Sequence, residues 1–280
     1  MSAPNVFELQ VTDAQLTRYS KLIYETTGIR ISPQKKALLS NRLRRRLRET
    51  GTSDFDAYFE KLKKLPVADP EWDAFLQEIT THETYLFRDD AHWNWFQNEY
   101  LPGVIAEGRA GRRPKALAVW SAACSTGDEA HTAACCIANA LQLSAGWSIR
   151  IVGTDLGVEA VQHAREGVFG PRAMRLVPTD MKSRYFQQIE AERWKAKPQL
   201  SQWMSFQQHN LMLPHHGNFD VVFLKNVLIY FDAGSKTTVL KHIRQALKPG
   251  GMLVVSAAEG VTDLVGDFER IHPWLFRWNG

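Results

Sequence analysis

The sequence has few cysteines and lacks any long apolar run. Its three cysteines are Cys124, Cys135 and Cys136. Two are adjacent and cannot easily pair, and none shows metal-ligand spacing, so we expect reduced thiols and no metal site in a cytoplasmic protein. No stretch of about 20 apolar residues is present, which argues against a membrane span. Residues 1–7 lack the charged and apolar regions of a signal peptide.

Acidic residues are absent between Arg30 and Arg48, a basic stretch, although the 280-residue chain has a formal net charge of only +4. Ser32 and Pro33 are typical of a helix start and Gly51 of a helix end. The cations of this helix, residues 33–49, are Lys35, Lys36, Arg42, Arg44, Arg45, Arg46 and Arg48. A solvated face is the ordinary explanation for a charge run, but seven cations without an acid among them favour a partner surface.

Two classes of partner suit this basic helix, nucleic acid and an acidic protein surface. The sequence contains no finger, no recognition motif and no aromatic residues interleaved with the cations, which base reading or base stacking would require. We therefore expect an acidic protein partner and no nucleic acid.

The first 81 residues predict a small all-helical domain. Apolar residues recur with a period near 3.6 in residues 8–28, and Gly28 ends that helix. The basic helix follows. A third helix begins near Ser53, and Asp69–Pro70 is typical of the start of a fourth that runs to Ile79.

The central motif of the chain is a strand, a tight turn and a helix. An apolar run from Ala116 leads into small residues, Gly127 and two acids, and a helical pattern covers residues 130–143. A second strand, 148–155, ends in Asp155, where a carboxylate can accept hydrogen bonds from ribose hydroxyls. The glycine spacing of dinucleotide sites is absent. These residues favour a single-nucleoside ligand such as S-adenosylmethionine, with an ordinary α/β turn as the alternative.

The remaining pattern predicts an open, mainly parallel sheet. Buried strands cover residues 219–226 and 252–257, and the end of the chain suggests an antiparallel pair. A ligand of such a sheet lies outside the carboxyl ends of its strands, where Gly127, Asp155 and Asn226 fall. Short strand patterns within residues 181–208 predict a small antiparallel sheet inserted into this domain, which spans residues 101–280.

Residues 82–100 join the two predicted domains. Thr84 and Arg88 lie on either side of three apolar or aromatic residues, an arrangement that suits a cleft between domains. The alternative is a buried linker with a structural arginine.

Four sequence blocks together resemble the CheR-type chemotaxis methyltransferases. They are His82-Glu-Thr-Tyr-Leu-Phe-Arg-Asp89, Trp120-Ser-Ala-Ala-Cys-Ser-Thr-Gly-Asp-Glu129, Gly153-Thr-Asp-Leu156 and Phe219-Asp-Val-Val-Phe-Leu-Lys-Asn-Val-Leu-Ile-Tyr-Phe-Asp232. The resemblance covers nearly the whole chain. It implies an α/β fold, namely a Rossmann-like class I methyltransferase sheet with a small inserted antiparallel β-subdomain, preceded by a small all-α N-terminal domain.

The resemblance also implies a reaction and its residues. The family moves a methyl group from S-adenosylmethionine to glutamate side chains of chemoreceptors and releases S-adenosylhomocysteine. Cofactor positions carried over from the motifs are His82, Thr84, Arg88, Glu129, Asp155, Asn210, Leu211, Lys225 and Asn226. Arg88 and Tyr230 match residues near the methyl group and the acceptor. The basic helix is similar to the one thought to dock the helical cytoplasmic domain of methyl-accepting receptors, and we expect a monomer.

The sequence departs from the family pattern at several positions. His82 stands for asparagine, Lys225 for arginine, and Ala130-His131 for Pro-Tyr, while Ser256-Ala-Ala-Glu259 replaces Gly-His-Ser-Glu. Residues 188–193 form a predicted loop of the inserted sheet without glycines, and we expect no tight tether to a receptor C-terminal peptide there.

Three other functions are consistent with parts of the sequence. A methyltransferase acting on nucleic acid or a small molecule could use the basic helix, but the motif match disfavours it. The altered pocket residues allow a catalytically weak S-adenosylmethionine-binding module or adaptor, which the retained Arg88 and Tyr230 disfavour. A purely structural helical adaptor has no need for Gly127 and Asp155.

Overall fold

The computed structural model describes residues 9–66, 69–142 and 146–280. The N-terminal residues without signal-peptide features and Leu143, at the end of one predicted helix, lie outside these ranges. Within them, no helix combines the length and the apolar character needed to span a bilayer.

The N-terminal domain is all helical, as the sequence predicts. Its helices are α1 (Asp13–Thr27), a 3₁₀ turn (Pro33–Lys35), α2 (Lys36–Thr50), α3 (Phe55–Lys64) and α4 (Pro70–Ile79). Thr12 and Gln15 form a capping box at the start of α1, and Gly28 ends it in the left-handed conformation. Asp54 and Asp69 cap α3 and α4. The helix predicted over residues 8–28 is observed as Asp13–Thr27, because its capping box lies at Thr12.

An aromatic helical segment joins the two domains. It consists of α5 (Asp90–Trp95), a π-helical turn (Phe96–Tyr100) and α6 (Leu101–Arg109). Trp93 stacks on Phe223 of the sheet with 4.9 Å between ring centroids, and Phe96 meets the same ring edge to face at 5.5 Å. The segment therefore packs into the core of the C-terminal domain, and this packing fixes the residues that precede it.

Seven strands form the main sheet. They are β1 (Ala116–Ala122), β2 (Ser148–Asp155), β6 (Met204–Gln208), β7 (Phe219–Leu224), β8 (Leu247–Val255), β9 (Phe268–His272) and β10 (Leu275–Trp278). Their order is β6-β2-β1-β7-β8-β10-β9. All pairs are parallel except those that β10 makes with β8 and β9. The carboxyl ends of the parallel strands therefore meet at one edge of the sheet.

The longer helices of this domain cover the sheet. They are α7 (Asp128–Leu141), α8 (Val158–Glu166) and α12 (Ala233–Ala246). Two large apolar clusters lie on the sheet, one around Val119 and Phe223 and the other around Trp120 and Phe219. Because both sheet faces are covered, strand β7 is apolar on both faces except at Asp220, as parallel strands usually are.

The inserted sheet differs from the prediction. Its three strands are β3 (Val168–Phe169), β4 (Phe186–Glu190) and β5 (Arg193–Ala196), in the order β3-β5-β4. The prediction that residues 202–208 belong to it is wrong, because β6 pairs in parallel with β2 at the edge of the main sheet. An alternating strand pattern does not reveal which sheet a strand joins, since that depends on distant partners. Short helices α9 (Pro171–Met174), α10 (Thr179–Tyr185) and α11 (Pro198–Ser201) complete the insertion.

Candidate active site

A cavity lies between the N-terminal domain and the carboxyl edge of the main sheet. Its volume is about 1340 Å³, counting the part that is open to solvent. All ten residues that the sequence assigns to cofactor or catalysis line it: His82, Thr84, Arg88, Glu129, Asp155, Asn210, Leu211, Lys225, Asn226 and Tyr230. The fold thus brings together side chains from five separate stretches of the sequence.

Asp155 lies buried at the end of β2. Its Oδ2 accepts a hydrogen bond from the amide of Ser125 at 2.8 Å, and its Oδ1 accepts one from the amide of Gly157 at 3.0 Å. Each carboxylate oxygen has a second acceptor position, so both oxygens can still bind hydroxyl groups. The backbone bonds hold the carboxylate in place before any ligand arrives.

His82 lies beside Asp155, with its Nδ1 3.7 Å from Oδ1 of the carboxylate. Burial lowers the pKa of His82, and the charge of Asp155 opposes that shift only in part. The other ring nitrogen lies 2.7 Å from Oγ1 of Thr80. The imidazole is therefore neutral at pH 7, and it adds no positive charge next to a cationic ligand.

The turn after β1 has an unusual backbone. Ala123 and Ser125 have positive φ angles of 84° and 50°, and Gly127 has one of 87°. A Cβ at Gly127 would lie 2.7 Å from the Cβ of Ala164, so only glycine fits there. The hydroxyl of Ser125 is buried in the cavity wall without a hydrogen-bond partner. Strained backbone and an unpaired polar atom are typical of a loop shaped for a ligand.

Lys225 connects the two sides of the cavity. Its side chain is 3% exposed, and its Nζ lies 3.2 Å from Asp89 and 3.5 Å from Glu129. It also donates a hydrogen bond of 3.1 Å to the carbonyl of Arg88. A buried ammonium needs such partners, and here they hold the segment that carries Arg88 next to the start of α7.

Arg88 and Tyr230 line the same cavity. The Nη1 of Arg88 donates to the carbonyl of Glu83 at 2.9 Å. The backbone of Tyr230 belongs to a 3₁₀ turn (Leu228–Tyr230), and its carbonyl accepts a hydrogen bond from the amide of Arg30. Nζ of Lys35 lies 5.1 Å from the tyrosine ring centroid. The N-terminal domain therefore helps to hold Tyr230.

Asn210 also connects the two domains. Its side-chain amide donates to the carbonyl of Thr26 in α1 at 2.8 Å, and its Oδ1 accepts from the amide of Met212. Leu211 is buried in the apolar cluster below. The assignment of Asn210 to cofactor binding stays a prediction, and the structure adds a positioning role that the sequence did not indicate.

Glu259 supports the site, but the sequence showed it only as part of a departure from the family pattern. Its carboxylate is fully buried and accepts hydrogen bonds from the amides of Val227 and Ile229 and from the hydroxyl of Ser256. Burial raises its pKa. Glu259 thereby fixes the turn that leads from Asn226 to Tyr230. An acid far along the chain that binds backbone amides leaves no spacing signal in a sequence.

The basic helix α2 is less exposed to a partner than its sequence suggests. Arg46 is buried and pairs with Glu71 and Glu49, and Arg45 pairs with Glu78. Lys36 pairs with Asp13. Although no acid lies among these cations in the sequence, the fold balances several of them, because α1 and α4 supply acids across the helix interfaces and α2 supplies Glu49 at its end. Lys35 and Arg42 line the cavity instead.

His131, which replaces a tyrosine of the family pattern, is buried against Phe169 and Phe206. Its Nδ1 lies 2.8 Å from the carbonyl of Gly127 and can donate to it. Burial lowers its pKa to about 4. The ring is therefore neutral in the folded protein and supports the turn after β1.

The buried His131 predicts a loss of stability in acid. Below a pH of about 6.5 the unfolded chain binds a proton at this residue that the folded protein does not bind, so the free energy of unfolding falls as the pH falls toward 4. Between pH 6.5 and 5 the loss from this group is roughly 2 kcal/mol. In denaturant titrations, H131N should lose less stability than the wild type over this range. H163N, a change on the surface, should follow the wild type. If the free energy of unfolding changed equally with pH in all three proteins, His131 would not be the source of the loss.

The strand order, the antiparallel β10 and an acid at the end of β2 define a class I methyltransferase that uses S-adenosylmethionine. The sequence matches two families, described as "CheR methyltransferase, all-alpha domain" over residues 14–80 and "CheR methyltransferase, SAM binding domain" over residues 82–274. The chain belongs to the CheR methyltransferase family.

Curated relatives agree with this assignment. The chain is 32% identical to a chemotaxis protein methyltransferase of Salmonella typhimurium over 93% of this chain and 88% of the relative. It is 30% identical to a chemotaxis protein methyltransferase of Escherichia coli over 91% of this chain and 87% of the relative. It is 27% identical to a chemotaxis protein methyltransferase of Borreliella burgdorferi over 97% of this chain and 96% of the relative.

The cavity suits S-adenosylmethionine. Asp155 can accept from the ribose hydroxyls, and the unpaired hydroxyl of Ser125 lies in the same wall. The carboxylate of Glu129 can attract the ammonium group of the methionine part. These individual contacts are expectations from the donor and acceptor chemistry.

Proposed function

We propose that the protein transfers a methyl group from S-adenosylmethionine to glutamate carboxylates of chemoreceptors and forms glutamyl methyl esters for sensory adaptation. The observation that carries the proposal is the shared cavity: Arg88 and Tyr230 line the same space as Asp155, and Lys35 and Arg42 lie on its wall. The relatives named chemotaxis protein methyltransferases support the choice of receptor. We further propose that it acts as a monomer in the cytoplasm on the helical cytoplasmic domain of the receptor.

The chemistry places few demands on the protein. S-adenosylmethionine supplies a methyl group on a sulfonium, and a carboxylate oxygen forms the new bond to carbon as the carbon–sulfur bond breaks and sulfur keeps the electron pair. A glutamate has an ordinary pKa of about 4.3, so it is ionised at pH 7 and needs no general base. The site has to align the reactants and exclude water.

Arg88 and Tyr230 are proposed to orient the acceptor. A guanidinium can bind a carboxylate through two parallel hydrogen bonds, and a phenol can donate a third. Arg88 uses one N–H for the carbonyl of Glu83, which fixes its side chain and leaves other donors for the substrate. Neutral His82 at the cofactor end keeps positive charge away from the sulfonium.

The test is the chemical nature of the product. Receptor cytoplasmic domain is incubated with the protein and methyl-labelled S-adenosylmethionine, and the labelled receptor is then treated with mild alkali. A carboxyl methyl ester releases its label as methanol. Label that stays on the receptor in alkali would indicate methylation of nitrogen or sulfur and would contradict the proposal. Binding of the cofactor without any transfer would favour the binding-module alternative.

The cations at the cavity predict a salt dependence. Lys35, Arg42 and the exposed cations of α2 act on an acidic receptor mainly through the rate of encounter. Raising ionic strength from about 0.05 to 0.5 M shortens the Debye length severalfold, so receptor methylation should fall about tenfold. Affinity for S-adenosylmethionine, measured in the same buffers, should change little. Equal methylation rates at both salt concentrations would show that α2 does not take part in receptor docking.

The absence of a tight receptor-peptide tether stays a prediction. The predicted loop over residues 188–193 is too long, because β4 runs to Glu190 and β5 begins at Arg193. The turn between the two strands holds Glu192 with a positive φ of 59°, in a place where a glycine would allow closer backbone approach. Strong retention of receptor C-terminal peptides on the immobilised protein would contradict it.

A further inference from the structure

A second basic surface lies on the methyltransferase side of the cavity. Helix α9 and the residues that follow it, 171–176, contain Arg172 and Arg175 and no acid. This segment is bound to the linker between the domains, because the amide of Leu86 donates to the carbonyl of Ala173 at 3.1 Å. A backbone hydrogen bond thus holds this surface against the stretch that carries Arg88.

Both arginines contact residues that line the cavity. Arg172 forms an ion pair with Glu83, and the guanidinium carbon of Arg175 lies 3.7 Å from the ring centroid of Tyr85. The guanidinium of Arg88 lies 5.7 Å from the same centroid. Glu83, Tyr85 and Arg88 all line the cavity. The α9 arginines are therefore next to the proposed acceptor side of the site, where they add two cationic groups.

The N-terminal side of the cavity has the same composition. Lys35 and Arg42 line it together with Leu38, a leucine with 43% exposure. On the α9 side Leu176 is 45% exposed beside Arg175. Cations accompanied by an exposed leucine thus border the cavity from both domains. An acidic helix with apolar residues on one face is complementary to such a surface in charge and in hydrophobicity.

We propose that Arg172, Arg175 and Leu176 form a second docking surface, which binds acidic residues of the substrate helix that flank the acceptor glutamate. This inference rests on the proposed function, since it names where that substrate is held. Helix α2 contacts the substrate helix from the N-terminal domain, and the α9 surface contacts it from the methyltransferase domain. Contact on both sides aligns one glutamate with the cavity. This explains how a single glutamate of a long helix can be selected for methylation.

The Arg172–Glu83 pair does not prevent this role. Its side chains are 67% and 61% exposed, and an exposed pair contributes about 0–1 kcal/mol. A substrate carboxylate can therefore replace Glu83 at little cost. The stacking of Arg175 on Tyr85 holds that guanidinium near the cavity without neutralising its charge.

The test is charge reversal at this surface. The variant R172E/R175E is compared with R277E, in which the changed arginine also pairs with an exposed acid, Glu269, but lies on β10. For R172E/R175E we expect KM for the receptor cytoplasmic domain to rise at least tenfold, with the change in KM rather than kcat and with S-adenosylmethionine affinity unchanged. R277E should behave like the wild type.

Three outcomes decide the proposal. If K35E raises KM and R172E/R175E leaves it unchanged, the proposal of a second docking surface is contradicted. The proposed function is not affected by that result. If the wild type methylates no receptor, the proposed function fails and this inference fails with it. If charge reversal lowers the melting temperature strongly, R172Q/R175Q decides instead, because it removes the charges without repulsion and should still raise KM about threefold.

Discussion

Replacing Arg88 with alanine should lower receptor methylation by at least about a hundredfold, comparable to the loss of a donor that stabilises a transition state. The side chain lines the cavity and is held by the carbonyl of Glu83. Without it no guanidinium orients the acceptor carboxylate. The measurement is kcat/KM with receptor cytoplasmic domain and saturating S-adenosylmethionine.

Two further variants separate charge from geometry in this experiment. R88K keeps the positive charge but lacks the planar fork of the guanidinium, so it should recover only part of the activity. R277A removes an exposed arginine on β10 and should leave activity unchanged. Undiminished methylation by R88A would contradict the role of Arg88.

Replacing Glu259 with alanine should reduce both stability and activity. The change leaves the amides of Val227 and Ile229 and the hydroxyl of Ser256 without their buried acceptor. Each unsatisfied buried group costs about 1–3 kcal/mol, so we expect the free energy of unfolding to fall by roughly 3 kcal/mol or more. Since Tyr230 ends this turn, kcat should fall as well. Denaturant titration and steady-state kinetics measure the two effects.

Glu269 provides the matched control for this prediction. It is an exposed acid that pairs with Arg277 at 3.1 Å, and an exposed pair contributes at most about 1 kcal/mol. E269A should therefore change stability little and leave kcat unchanged. If E259A were as stable and as active as E269A, the turn would not depend on Glu259.

The sequence predicts the features that local chemistry determines. Asp69 and Pro70 predict the start of α4, and an apolar run that ends in Asp155 predicts both a strand and the position of its acid. Because parallel strands end at one edge, the sequence also predicts that Gly127, Asp155 and Asn226 lie close together there. All ten residues assigned to cofactor or catalysis, which the family resemblance supplies, line one cavity.

Features that depend on partners distant in the sequence were not predictable in this way. Most of the acids that balance α2 come from other helices, as in the Arg46–Glu71 pair. The edge strand β6 joins β2 because the fold brings them together, although its pattern equally suits the inserted sheet. Glu259 and the Asn210–Thr26 contact act on backbone groups, and such contacts carry no residue-type signature in the partner.

The most direct test of the central claim, that the cavity between the domains binds S-adenosylmethionine, is calorimetric titration of the wild type and D155A with S-adenosylmethionine and then S-adenosylhomocysteine. The structure predicts saturable binding of both ligands by the wild type and loss of at least about tenfold in affinity in D155A, since the ribose hydroxyls lose two acceptors. D263A, which removes an exposed acid outside the cavity lining, should bind like the wild type. Equal affinities of D155A and the wild type would contradict this account.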